Sequence, residues 1–384
     1  MLRFITAGES HGPGLVATVE GLPAGLEVTS EGLSTELARR RLGFGRGPRM
    51  ALEEDEIEIL GGVRFGSTLG GPVAVLIRNT EWPKWRAQMS PDAGERGKRE
   101  TKPRPGHADL VGMLKYDTHD ARDILERASA RETAARTVVG YLAKQLLASI
   151  NIRVVSHVVR IGQAAADPDA PLPGPDDLDA VDASAVRAFD PATEAAMIEA
   201  ITTAADAKDT LGGAAEVLGY GLPPGLGSHV HWDRKLDGLL AGALMSIQAI
   251  KAVQIGDGVA QSHMTGSAAH DAITRDGEGF GRRTNRAGGL EGGITTGEVL
   301  RVTVMMKPIA TVMRPLDTVD VDSKEAAKAF RERSDVCAVP AAGVVAEQMT
   351  AYVLANEVLR TYGGDTVGDV VAADAAYRRR ISEF

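Results

Sequence analysis

RPGHADLVGMLKYDTHDARDILERASARETAARTVVGYLAKQLLAS, residues 104 to 149, divides into a front half that carries chemistry and a back half that carries scaffold. In the back half Ser129 and Glu132 have the spacing of a capping box, which predicts a helix from Ala130. Ala135, Val138, Val139, Leu142 and Leu146 then recur at steps of three and four, which predicts one apolar stripe, with Arg131, Arg136 and Lys144 on polar faces. Such a helix packs against a partner. Its amino end offers N–H groups without intrahelical acceptors and the positive end of a dipole, and both favour an anion. Arg127, Ser129 and Arg131 add donors at the same spot; for an isolated stretch, pairing with Asp123 and Glu126 on a solvated surface is the commoner reading. The approach segment changes the balance. Arg104, Pro105, Gly106 and His107 put a titratable imidazole between backbone-restricting residues, so the stretch reads as a phosphate site with a proton donor beside it.

The 384 residues can bury a substantial core as one or two domains, and with aromatics at 4% that core is aliphatic. The 44 glycines fall largely in short clusters, the pattern of tight turns or of backbone approaching a ligand. A formal net charge of −9 argues against a nucleic-acid binder, which needs a basic face. Two basic runs stand out against it: 39–49 (RRRLGFGRGPR) and 96–104 (RGKRETKPR). Either is a solubilising surface, or a set of guanidinium forks for a small phosphate or carboxylate ligand. The single cysteine, Cys337, excludes an intrachain disulfide and reads as a small buried apolar residue in a reducing compartment. MLRFITAGESHG lacks the apolar centre of a signal peptide, and no apolar run is long enough to span a membrane, so a cytoplasmic location is expected.

Taken in order, residues 2–6 and 15–20 read as strands flanking the glycine turn that holds Ser10 and His11, 30–41 as a helix, and PVAVLIRN as a buried strand. Residues 79–102 show little periodicity and read as a long loop. Strands are expected at 152–161, 214–219 and 298–306, and His157 inside the first of these reads as structural. Between them, 164–190 carries Pro168, Pro171, Pro173 and Pro175 among aspartates and reads as a surface excursion from a single domain. Helices are expected over 191–208, from an Asp233 cap through Ile250, and from Pro340 through Leu359. His263 and His270 with Asp257 and Asp271 match no zinc spacing, and no metal is assigned. Gly288, Gly289, Gly292 and Gly293 would let backbone N–H groups approach a flat or phosphorylated ligand, although such runs are also ordinary hairpin loops. An Arg-and-Ser cluster precedes a long helix at Arg127 and again at Arg333, a hint of two similar halves facing one site.

GESHG at Gly8, GRGPRM at Gly45, GGP at Gly70, RPGHADL at Arg104, RASARET at Arg127, SIQAIK at Ser246, GDG at Gly256, NRAGGLEGG at Asn285, KPIAT at Lys307 and RSDVCAVPA at Arg333 occur in that order. Together they resemble the chorismate synthase family over nearly the whole chain. The resemblance implies an α/β chain of the α+β type, folded as a β-α-β sandwich of short-stranded sheets and long helices and assembled as a homotetramer. It implies a lyase that makes chorismate from 5-enolpyruvylshikimate-3-phosphate with reduced FMN, in aromatic amino-acid biosynthesis. The family's roles fall on His11 as proton donor to the departing phosphate, His107 as the residue that keeps the flavin suitably protonated, and Asp335 as the carboxylate that works with flavin N5 on the substrate proton. FMN contacts are implied at Arg127, Ala128, Ser129, Gln248, Ala249, Gly292, Lys307, Pro308, Ile309, Ala310, Thr311 and Arg333. Ser10, Arg49 and Arg104 are candidate substrate contacts. Arg40 and Arg46 match positions the family assigns to NADPH, with substrate phosphate an equally sensible partner. The compact chain resembles members that take reduced FMN from an external flavin reductase.

The chemistry agrees with the residue types. Losing an allylic phosphate needs cations in a dry site and a proton donor that titrates near neutrality. The competing readings are an FMN oxidoreductase acting on a phosphorylated substrate, and a phosphometabolite- or flavin-binding protein without catalysis.

Overall fold

A computed structural model describes residues 1–46, 55–276, 279–332 and 334–384; Arg49 and Arg333 lie outside the described residues. Strands β1 (Arg3–Ala7), β2 (Gly14–Glu20), β3 (Glu56–Gly61) and β4 (Val73–Arg78) form an antiparallel sheet in the order β1-β2-β4-β3. Its register pairs Leu15 with Ile77, Ala17 with Val75 and Val19 with Val73, all buried, so a single face of this sheet meets the core. A second antiparallel sheet runs β8-β9-β7-β5-β6, from β5 (Arg153–Ile161), β6 (Ala164–Ala165), β7 (Gly213–Tyr220), β8 (Ile250–Ile255) and β9 (Leu300–Met306).

Helices pack between and around the sheets. They are α1 (Ser30–Arg41), α2 (Asp109–Tyr116), α3 (Arg122–Ala128), α4 (Thr133–Ala148), α5 (Pro191–Asp206), α6 (Leu236–Met245), α7 (Val339–Tyr362) and α8 (Val367–Ser382). Of these, α4 and α7 form the middle layer of the expected β-α-β sandwich. The stripe of α4, from Ala135 to Leu146, is buried throughout. It packs on the first sheet and on α7, which in turn packs on β5 and β7. The two helices cross closely enough that a Cβ on Gly140 would stand 2.2 Å from Cβ of Gln348, which is why the helix interior carries glycine there.

Charges are buried at the same crossing. Glu347, fully buried, accepts from Arg39 Nη1 at 2.6 Å, from Lys144 Nζ at 2.8 Å and from Ser156 Oγ at 2.8 Å. Burial alone would raise its pKa, but Arg39 and Lys144 hold it well below the carboxylate range.

Several expectations are corrected. Ser129 does accept from Arg131 N at 3.2 Å, but Ala130–Glu132 forms a 3₁₀ turn before α4. Glu132 binds Thr6, Arg136 and Gln248 instead of closing the capping box. Arg131 is buried rather than on a polar face. The helix expected to run from Asp233 through Ile250 is the shorter α6, because Ala249 takes a left-handed φ of 65° that turns the chain into β8. Asp233 pairs with His231 at 2.7 Å and caps nothing. Residues 79–102 contain one short helix, Trp82–Trp85. The segment 164–190 is less superficial than its composition implies: Val181, Val186 and Arg187 are buried, and Arg187 Nη2 donates to Ser156 O at 2.7 Å.

Candidate active site

The starts of α4 and α7 line one cavity of about 510 Å³, within the ~300–1,000 Å³ range of small-molecule sites. The β1–β2 turn brings Ser10 and His11 to it, the carboxyl end of α1 and the segment after it bring Arg40 and Arg46, and the approach to α2 brings Arg104, Gly106 and His107. Lys251, Lys307 and Arg131 add further cations, against Glu332 and Asp335. A chain that is acidic as a whole thus keeps a cationic lining here.

His11 is nearly buried. Its backbone N–H donates to Glu126 Oε2 at 2.8 Å and its Nδ1 lies 2.9 Å from Oε1. The Trp85 ring stacks on the imidazole with centroids 4.0 Å apart, and the Arg122 guanidinium covers the same indole at 5.0 Å. Arg122 Nη1 donates to Glu126 at 2.9 Å and to Glu332 at 2.8 Å. Burial raises the pKa of Glu126, and hydrogen bonds from His11 and Arg122 more than offset it, so this carboxyl stays ionised.

His107 repeats the pattern. Its Nδ1 bonds Asp109 Oδ1, and Asp109 also accepts from Arg104 N at 3.0 Å and Nε at 2.8 Å. Burial works against ionisation of Asp109, yet His107 and Arg104 bring its pKa down to about 2. Arg104 Nη1 donates to Thr311 at 2.9 Å, and its guanidinium lies 4.7 Å over Phe330. The nitrogens of Arg104 are therefore engaged within the protein, and the residue braces His107 while lining the cavity.

Arg46 Nη1 is 3.0 Å from Asp335 Oδ2, and Arg40 Nη2 is 3.8 Å from Asp55 Oδ2. Lys307 Nζ donates to Gly106 O, and its N–H donates to Ala249 O at 3.0 Å. Among the expected residues, Ser10, His11, Arg40, Arg46, Arg104, His107, Ala128, Ser129, Gln248, Ala249, Lys307, Ile309, Ala310, Thr311 and Asp335 line this one cavity. Arg127 turns away to donate to Thr6 O and Gly8 O. Pro308 sits between two lining residues without lining the cavity itself. Gly292, with φ 61°, shares with Gly293 the turn between Leu290–Glu291 and Ile294–Thr295 and is not part of the lining.

Glu126, which reads in sequence as a surface pairing partner, and Asp109 and Trp85, which the sequence reading leaves unassigned, belong to the site. Asp109 was findable two residues after His107, and Trp85 as a scarce aromatic in a segment without periodicity. Nothing local marks Glu126 as buried.

The cavity fits a flavin in two respects. Gln248 Oε1 is buried without a hydrogen-bond partner, an acceptor for a ring N–H, and it precedes Ala249, a non-glycine residue in a left-handed conformation. Ala338, just before α7, and Ala341, Ala342 and Val345 within it form a wall of small apolar groups suited to a flat ring.

Known proteins resemble this chain over nearly all of its length. The family model described as chorismate synthase matches residues 2–359. The chorismate synthase of Thermobifida fusca is 58% identical over 380 residues, covering 97% of each chain. That of Acidothermus cellulolyticus is 60% identical over 376 residues, 96% of each. A crystal structure of chorismate synthase superposes with a TM-score of 0.81 at 39% identity, covering all of this chain and 99% of the other.

Proposed function

This chain belongs to the chorismate synthase family of lyases, and from that premise we propose that it eliminates phosphate from 5-enolpyruvylshikimate-3-phosphate, giving chorismate. The reaction is a 1,4-elimination that depends on reduced FMN without net redox change. The observation that carries the proposal is the meeting of His11, His107 and Asp335 in one cationic cavity.

In this reading Arg46 and Lys307 stabilise the charge that develops as the allylic C–O bond breaks, in a pocket whose Leu125, Ile247, Ile309 and Val345 side chains exclude water. His11 gives its proton to the leaving phosphate, and Asp335, held by Arg46, takes part in receiving the ring proton. His107, on the approach to α2, would keep a bound flavin suitably protonated. A reduced flavin bound there would supply electron density for breaking the C–O bond, with no net redox change. Ala128, Ser129, Gln248, Ala249 and the 307–311 segment would hold the flavin. Arg40 and Arg46 lie inside the cavity, and Arg40 is only 4% exposed. That placement favours substrate anions over NADPH as their partner. Supply of reduced FMN by an external reductase, assembly as a homotetramer and a role in aromatic amino-acid biosynthesis in the cytoplasm complete the proposal. Among the described residues no helix is long and apolar enough to cross a membrane.

The test is an anaerobic assay with chemically reduced FMN, following chorismate and phosphate together. Equal amounts of both support the reading; substrate oxidation without phosphate release overturns it in favour of an FMN oxidoreductase. Replacing His107 with Ala is expected to abolish turnover while FMN still binds, whereas a non-catalytic binding protein has no turnover to lose.

A further inference from the structure

His11 and His107 reach the cavity from different parts of the chain, yet each is built into the same four-part arrangement. In each, an imidazole Nδ1 meets a buried carboxylate, Glu126 or Asp109. An arginine, Arg122 or Arg104, clamps that carboxylate, and an aromatic ring, Trp85 or Phe330, lies under the guanidinium. Histidines outside the cavity show how far the pattern is general: exposed His119 meets Asp322 through Nδ1 at 2.6 Å, with Arg99 on the same carboxylate at 2.8 Å. His157, outside the cavity, meets Glu216 at 3.3 Å through Nε2, with Arg301 on the same carboxylate at 3.0 Å. A histidine–carboxylate–arginine group is therefore a general bracing device in this fold. The two histidines of the cavity share its use through Nδ1 on a buried carboxylate, with an aromatic ring under the arginine.

Chemistry fixes what Nδ1 contact means. An ionised carboxylate has no proton to donate, so the nitrogen facing it carries hydrogen in both the neutral and the charged ring. For His11 the constraint is strict, because the two oxygens of Glu126 already receive three donors: the backbone N–H of His11, its Nδ1 and Arg122 Nη1. Only Nε2, on the opposite side of the ring, can then exchange a proton without breaking the bond to Glu126. The stacked Trp85 ring, 34° from parallel, opposes rotation of the imidazole out of this pose.

We propose that Glu126 is a positioning residue for His11, holding the Nδ1–H tautomer so that the proton passes to the departing phosphate from Nε2. The proposal rests on the proton-donor reading of His11 given above. A carboxamide at this position has one acceptor where the carboxylate has two. Where its NH2 group faces Nδ1 it selects the opposite tautomer, with the proton on Nε2 of the neutral ring and Nδ1 as acceptor. Where its oxygen does, the NH2 group opposes the His11 N–H or Arg122, so the parent arrangement competes with the flipped one. Arg122 keeps Glu332 at 2.8 Å, so the Glu126→Gln protein does not leave an isolated buried cation.

The test has two arms on the full-length protein. ¹⁵N NMR of the histidine rings reads the tautomer without any turnover. We expect Nδ1–H for His11 in the parent protein, the opposite tautomer or a mixture in Glu126→Gln, and an unchanged His157 in both. Steady-state kinetics with reduced FMN should show kcat lower on the order of 10²-fold, the scale of a mispositioned general acid, with KM little changed. Glu126→Asp, which keeps a carboxylate, should retain the Nδ1–H signature and recover part of kcat. If the His11 tautomer is the same in parent and Glu126→Gln proteins, or if Glu126→Gln and Glu126→Asp lose kcat equally, the positioning role is overturned. If instead the tautomer changes while His11→Ala turns over normally, the positioning stands and the proton-donor reading of His11 fails.

Discussion

Asp109→Asn should destabilise the protein by an amount that can be worked out from its surroundings. The carboxyl is fully buried and accepts from Arg104 N, Nε and Nη2 and from His107. Holding it at about 2, against an ordinary 3.8, corresponds to about 2.5 kcal/mol of preference for the ionised form in the folded state. The asparagine variant also strands the buried Arg104 cation, and removing one partner of a buried pair costs about 3–5 kcal/mol. A loss of about 3 kcal/mol at pH 7 is therefore expected from urea unfolding. The pH dependence carries the sign. Because the folded pKa is depressed, the ionic contribution is complete above the unfolded value near 4 and is lost as pH falls towards 2. The gap between parent and variant should accordingly close over that window. A difference below about 1 kcal/mol at pH 7, or one that stays constant down to pH 3, would refute the assignment of Asp109 as the ionised brace of Arg104 and His107.

Other outcomes follow from the same geometry. Gly140→Ala puts a methyl 2.2 Å from Cβ and 2.5 Å from Cα of Gln348, where backbone has to move, and should cost about 3 kcal/mol in thermal unfolding. Glu347→Gln leaves Arg39, Lys144 and Arg187 around a neutral amide and should lose about 3–5 kcal/mol in urea. Burial pushes the Cys337 thiol up to about 11, so iodoacetamide at pH 8 should leave it unmodified in the native protein and label it once the chain is unfolded.

What could be read from the sequence follows the range of the interactions involved. The stripe of α4, the strand at β4 and the start of α5 at Pro191 rest on contacts within a few residues, and local pattern exposes those. The early end of α6 depends on Ala249 holding a left-handed backbone, which no alanine announces. The topology depends on α4 meeting α7 more than two hundred positions later, and only Gly140, an oddity inside a helix pattern, hints at that crossing. At the site the division is similar. His11 and His107 stand out in glycine turns, whereas Glu126 reads locally as one more charge on a helix surface. It becomes a brace only because the β1–β2 turn covers it. Arg104 lines the cavity and has a second role that nothing local announces: Asp109 and Thr311 hold its guanidinium there, where it braces His107.

The buried ions at the helix crossing bear on the site as well as on stability. Arg39 is fixed by Glu36 at 2.8 Å, Asp182 at 2.6 Å and Glu347 at 2.6 Å, so the last turn of α1 has little freedom to rotate. Successive side chains on a helix lie about 100° apart, and pinning Arg39 towards α7 therefore sets the direction of Arg40, which lines the cavity. Asp182 belongs to the proline- and aspartate-rich segment and is itself paired with Arg187, whose own burial lowers its pKa to about 10. That segment lies well away from Arg40 in the chain, but it helps to hold α1 in place. A helix aimed by ions from three directions keeps Arg40 of its last turn in the cavity without spending cavity-facing carboxylates on the task, and this allows an acidic protein to present a cationic pocket to an anion.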